Sequence, residues 1–167
     1  MQVVEDLLEI AGIGRDRMQL RWVSAAEGQL FAEYVSQITE LTRDLGPFDL
    51  ERHRGALEAI ELALGSPRMR WLTGCAKELI EKGNVYNEKI GEEDYRTLLH
   101  RAGVEEFEKA IIAQAIKPGP KSVKEISEKT ELPIYTVSLR LNELERHGQA
   151  ELSDYEGSTP KFIGVGA

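Results

Sequence analysis

The chain has 167 residues, 41% hydrophobic and 30% charged, a composition that supports one or two small domains with a packed core. A formal net charge of −8 disfavours generic binding to nucleic acid, because polyanions attract basic surfaces. One cysteine, Cys75, excludes an internal disulfide framework and any multi-cysteine metal site within the chain, and no apolar run reaches the ~18 residues of a membrane span.

Residues 1–14 carry Glu5, Asp6 and Glu9 and no base before Arg15, a pattern unlike a signal peptide, so the expected location is cytoplasmic. Val3, Val4, Leu7, Leu8 and Ala11 line one face of a first helix, and Gly12-Ile13-Gly14 is its stop. From Met18 to Val23, Leu20 and Trp22 alternate with Gln19 and Arg21, the period of a half-buried strand. Ser24 and Glu27 stand at capping-box spacing ahead of a helix from about Gln29. Along that helix Leu30, Tyr34, Ile38, Leu41 and Leu45 form an apolar stripe, closed by Gly46-Pro47. A lone strand makes no sheet. The expectation is therefore a β-α remnant of an α/β domain that pairs with another chain or ends a longer domain.

Residues 49–65 predict a helix stopped by Gly65-Ser66-Pro67, and a further helix runs to Lys82. Val85 to Ile90 reads as a short loop or strand, followed by a helix over Glu92–Ala102 that Gly103 separates from the next. The C-terminal stretch has the clearest pattern. Val104–Ile116 is an apolar helix broken at Pro118-Gly119-Pro120. Ser122 and Glu125 form a second capping box, and Glu131-Leu132-Pro133 makes a turn. Ile134–His147 is a longer helix, and two strands around 150–152 and 161–163 flank a wing at Tyr155–Thr159. The fold class expected is mainly α with small β: a partial α/β segment over 1–46, central helices over 47–103, and a winged helix over 104–167.

A DNA-reading winged helix would present Tyr135, Thr136, Ser138, Arg140 and Arg146 to the major groove. Over 121–167, however, six basic side chains face eight acidic ones, and Asp154 and Glu156 occupy the wing. DNA affinity rests largely on phosphate neutralisation, so a protein-docking role is favoured over transcription regulation. His53, His100 and His147 are scattered without ligand spacing, Cys75 reads as a small hydrophobe, and no nucleophile–base pair is visible. Catalysis by this chain alone has no support.

The run from Ile13-Gly14 to Gly46-Pro47, with Ser24-Ala25-Ala26-Glu27-Gly28 and Phe31-Ala32-Glu33 as its most specific words, resembles the C-terminal part of the delta subunit of methyl-viologen-reducing hydrogenase, also called the hydrogenase iron–sulfur subunit family. The stretch from Arg70-Trp71-Leu72-Thr73-Gly74 to Gly83-Asn84-Val85-Tyr86 looks like an extension found in some longer members. The resemblance implies an accessory, non-catalytic subunit of a heterodisulfide-reductase or hydrogenase-type electron-transfer complex. Its implied partners are a cysteine-bearing delta half, a heterodisulfide-reductase-like flavoprotein, and hydrogenase or dehydrogenase subunits. A 2Fe–2S cluster and FAD are implied on those partners or on a missing N-terminal half, and no cofactor on this chain. Family members hold the cluster on cysteines upstream of the position matching Met1, so no ligand carries over. A split-gene companion, and a fragment whose true start or recoded selenocysteine codon lies upstream, both stay open. Under this reading Trp22, Ser24, Glu27, Phe31 and Trp71 are the docking candidates, although a capping box also explains Ser24 and Glu27.

Overall fold

The computed structural model describes residues 2–83, 86 and 88–165. They are mostly helical, with one small antiparallel sheet. The chain divides into two compact units, 1–54 and 55–167.

In the first unit, α1 spans Gln2–Ile10 and buries Leu7 and Leu8. It ends where the apolar pattern ends. Gly12 takes φ +70, the amide of Gly12 donates to the Glu9 carbonyl, and that of Ile13 donates to the Leu8 carbonyl. This pair of bonds is the Schellman arrangement that only a residue tolerant of positive φ closes cheaply. A short 3-10 helix follows at Arg15–Arg17, and α2 spans Gly28–Leu45. The Arg17 guanidinium donates to the carbonyls of Leu45 (2.8 Å) and Gly46 (3.1 Å) and lies 5.3 Å from the Phe48 ring centre. A cation is thereby held at the negative end of the α2 dipole, where it also satisfies orphan carbonyls.

The strand expected over Met18–Val23 is absent: the segment is coil. A strand is stable only as a member of a ladder, and the sheet of the described residues consists of two strands near the C-terminus. The capping box at Ser24 is half formed. The Glu27 carboxylate accepts from the Ser24 amide at 2.7 Å, while the Ser24 hydroxyl accepts weakly from Ala26 at 3.4 Å and not from Glu27. The N-cap of α2 is Glu27, and the helix begins at Gly28, one residue before the expected start at about Gln29.

In the second unit, α3 (Leu50–Gly65) enters from the first and is followed by α4 (Pro67–Gly74). Ser66, read from sequence as part of a stop, also starts α4: its hydroxyl accepts from the Met69 amide with Pro67 at the first helical position. The helix expected to run to Lys82 follows a turn at Cys75 and ends at Lys82 as read, but its part over Glu78–Lys82 is π-helical. The loop or strand expected from Val85 falls partly outside the described residues, at Asn84, Val85 and Asn87. Next comes α5, a single helix over Glu92–Ile116. The break expected at Gly103 does not occur. Glycine costs a helix about 1 kcal/mol relative to alanine, and here the residue is buried in a helix whose flanking turns carry Ala102, Phe107 and Ala110 into the core.

The remaining elements are α6 (Val123–Thr130), α7 (Ile134–Arg146), β1 (Ala150–Glu156) and β2 (Thr159–Gly164). The Ser122–Glu125 capping box is complete in both directions. Glu131 closes α6 in the left-handed conformation (φ +60) and Pro133 precedes α7. The C-terminus of α7 repeats the Schellman pair, Gly148 to Glu145 and Gln149 to Leu144, around Gly148 at φ +68. β1 and β2 are antiparallel, with Ala150 opposite Gly164, Leu152 opposite Phe162 and a bulge between Leu152 and Asp154. The strands run longer than expected, so the connecting turn shrinks to Gly157-Ser158. Lys121 forms one isolated bridge to Phe162 through two backbone bonds of 2.8 and 2.9 Å. One core unites these elements: Ile112, Ala115 and Ile116 of α5, Ile126 of α6, Val137, Leu141 and Leu144 of α7, and Ala150 of β1.

Candidate functional site

Three of the residues singled out for docking are exposed aromatics. Trp22 is 84% exposed and Phe31 57%, both in the first unit, while Trp71 on α4 of the second unit is 58% exposed. Burying an aromatic yields roughly 1.5–3 kcal/mol, so such side chains in water mark surfaces that gain on association. Ser24 and Glu27 spend their side chains locally, in the loop that leads into α2. The same unit exposes further apolar side chains, Leu20, Val23 and Val35, which sequence reasoning did not single out for docking. The signal was available for Val35, four residues after Phe31 on the same helical row. Arg21 lies 5.8 Å from the Tyr34 ring centre, a cation–π contact between the coil and α2.

The structure divides the five residues proposed for DNA. Tyr135 is 78% exposed on the first turn of α7, and Thr136, Ser138 and Arg146 keep it company on the outer side of the helix or its flanks. Arg140, expected on the exposed face, is 8% exposed. Its Nε donates to Glu108 at 2.7 Å, one terminal nitrogen donates to Glu143 at 2.7 Å, and the other lies 3.6 Å from Glu105. The physical reason is positional: Arg140 is one residue from core Leu141 and three from core Val137, so its stem follows α7 against α5. Glu105 and Glu108 of α5 were visible in the sequence, but nothing local indicated that they would face α7.

The ionic cluster extends beyond Arg140. Lys109 donates to Glu106 at 2.6 Å and lies 3.9 Å from Glu143, and Arg68 of α4 reaches both Glu105 and Glu106. Burial works to raise the Glu105 pKa, but the Arg68 hydrogen bond and charge, with Arg140 and Arg101, prevail and hold it below the ordinary carboxylate value. Burial likewise opposes the charge on Arg140, and its three carboxylates overcome that and raise its pKa. A second tie joins β2 to α6. Lys161 donates to Glu125 at 2.7 Å and lies 2.8 Å from Glu156. The Lys161 bond, followed by those from Ser122, lowers Glu125 to about 2.

The half-buried thiol of Cys75 and the scattered histidines make no cluster site. A 2Fe–2S centre takes four ligands, ordinarily thiolates. The chain has one cysteine, and among the described residues no three His, Cys, Asp or Glu side chains gather as metal ligands. The residues present do not fit an iron–sulfur cluster. No helix among the described residues is long and apolar enough to cross a membrane.

Residues 1–46 match the family model described as methyl-viologen-reducing hydrogenase, delta subunit (FlpD). The match covers α1, the 3-10 turn, the coil with Trp22, and α2. The chain is also similar to an iron-sulfur subunit of the F420-non-reducing hydrogenase of Archaeoglobus profundus, 39% identical over 51 residues. That similarity takes in 30% of this chain and 37% of the relative's length, so the chain spans little more than a third of it. No solved structure matches the chain.

Proposed function

We propose that this chain is an accessory, non-catalytic subunit of a hydrogenase-type electron-transfer complex, docking a redox partner through its first unit. The observation that carries the reading is a coincidence of location. The residues that match the hydrogenase delta-subunit family are the same ones that expose Leu20, Trp22, Phe31 and Val35 to water. Apolar side chains at such density in a charged chain fit an association surface.

In this reading the iron–sulfur cluster and flavin belong to partner chains, among them a cysteine-bearing delta half and a heterodisulfide-reductase-like flavoprotein. The chain's own task is to hold those partners together. The elements from the C-terminal end of α5 to β2 act as a winged helix in a docking role. Reading of DNA is less well supported, because the one arginine able to grip a guanine from the middle of α7 is tied to three glutamates.

The test is a tagged pull-down from the native host that reports both the bound proteins and their iron. Recovery of iron-bearing subunits of hydrogenase or heterodisulfide-reductase type is the expected result. A chain that returns alone and iron-free overturns the reading.

A further inference from the structure

We propose that residues 18–23 join the open edge of a β-sheet in the docked partner as an added strand, with the apolar face of α2 laid over the same sheet. The inference rests on the docking reading above and specifies the partner's chemistry: an α/β protein that presents an unpaired edge strand beside an uncovered apolar sheet face.

The first observation is the backbone. Met18 is extended, at φ −122 and ψ 118. After it, Leu20, Arg21, Trp22 and Val23 are exposed coil, and among the described residues no hydrogen bond engages their amides or carbonyls. Exposed backbone with unpaired donors and acceptors is a template for pairing with another edge. Its side chains already have the alternation a strand needs, with Leu20 and Trp22 on one side and Gln19 and Arg21 on the other. In strand addition the main chain supplies affinity and alternate side chains supply specificity, a role suited to Trp22.

The second observation is α2, which is independent of the first. No residue of this 18-residue helix is fully buried. Advancing about 100° per residue, Leu30, Phe31, Tyr34, Val35, Ile38, Leu41 and Leu45 fall within an arc of roughly 140° that holds no charge, while Glu33, Glu40 and Asp44 lie together on the opposite side. An uncharged arc of that width matches the apolar face of a sheet. Helices draw most of their stability from covering such a face, and the described residues of the first unit contain no strand.

Connectivity joins the two. Ser24–Glu27 is a four-residue link between the 18–23 segment and α2, the length typical of strand-to-helix loops in α/β units, where the helix covers the sheet its strand belongs to. A second copy of the chain is a poorer occupant, because each copy carries a formal charge of −8 and like charges oppose association.

The experiment is hydrogen exchange on the tagged full chain, once purified alone and once as the complex recovered from its host. Amides of 19–23 should exchange freely in the lone chain and about tenfold or more slowly in the complex, together with the Phe31–Val35 part of α2. Arg21→Pro and Trp22→Pro, each read against the alanine variant of the same residue, should differ, since successive amides point to opposite edges of a strand: one proline captures less partner than its alanine and the other does not. Circular dichroism of each lone variant checks that the fold is intact. A complex that forms with 19–23 still exchanging freely, or with both prolines equally harmless, overturns strand addition and leaves the docking reading standing. Protection in the lone chain accompanied by a dimer mass assigns the edge to a second copy and also overturns the proposal. Recovery of no partner removes both readings.

Discussion

Arg140 shows most directly how burial reverses a functional expectation. Its type and its place on the second helix of a helix-turn-helix pattern point to a base reader, yet it lies under Glu105, Glu108 and Glu143. A buried cation with full hydrogen bonding contributes little net stability, but removing one partner leaves the others charged and desolvated. Arg140→Met should therefore destabilise the chain by about 3 kcal/mol, read as a lower midpoint in urea unfolding, the scale seen when a buried pair loses one member. Arg146, exposed at the end of α7, should give a change within about 0.5 kcal/mol when truncated in the same assay. The neighbouring core residues were legible from spacing alone, since Val137, Leu141 and Leu144 repeat at helical intervals and all three are buried.

At the level of elements, hydrogen-bond chemistry close in sequence was readable and long-range pairing was not. Gly12 stops its helix as expected, and Gly148 stops α7 in the same way, because positive φ is a local demand. Gly103 does not stop α5, because packing around a buried helix outweighs a propensity of about 1 kcal/mol. The link between β2 and α6 is of the long-range kind: Lys161 and Glu125 are 36 residues apart. It has a definite pH signature. Glu125 is depressed from 4.5 to about 2, so its contribution is complete above pH 4.5 and is lost as pH falls toward 2. Lys161 is raised from 10.5, so its contribution is complete below that pH and is lost as pH rises through the higher folded value. A melting-temperature profile should be flat between those limits with respect to this pair. Lys161→Gln should lower the plateau and flatten the acid limb between pH 4.5 and 2, while leaving the α-helical circular dichroism unchanged at pH 7.

For the molecule as a whole, charge and the placement of bases oppose nucleic acid as a partner. The formal charge is −8, and Lys161 and Arg140 are held by carboxylates. Titration of duplex DNA at low salt should be flat, because bases outnumbered by carboxylates neutralise few phosphates and release few counterions. A measurable affinity that falls linearly with the logarithm of salt concentration would transfer the chain to the regulator reading. The amino-acid sequence by itself determined α1, α2, α6 and α7, the stops at Gly12 and Gly46, the capping box at Ser122 and the hairpin near the C-terminus. These depend on side-chain periodicity and on φ preferences that act within a few residues. Tertiary structure alone decided that Arg140 turns inward, that α5 is one helix, and that Met18–Val23 forms no strand and leaves Trp22 in water. Each of those outcomes depends on which surface lies opposite, and a period-2 pattern becomes a strand only when an edge is there to receive its hydrogen bonds.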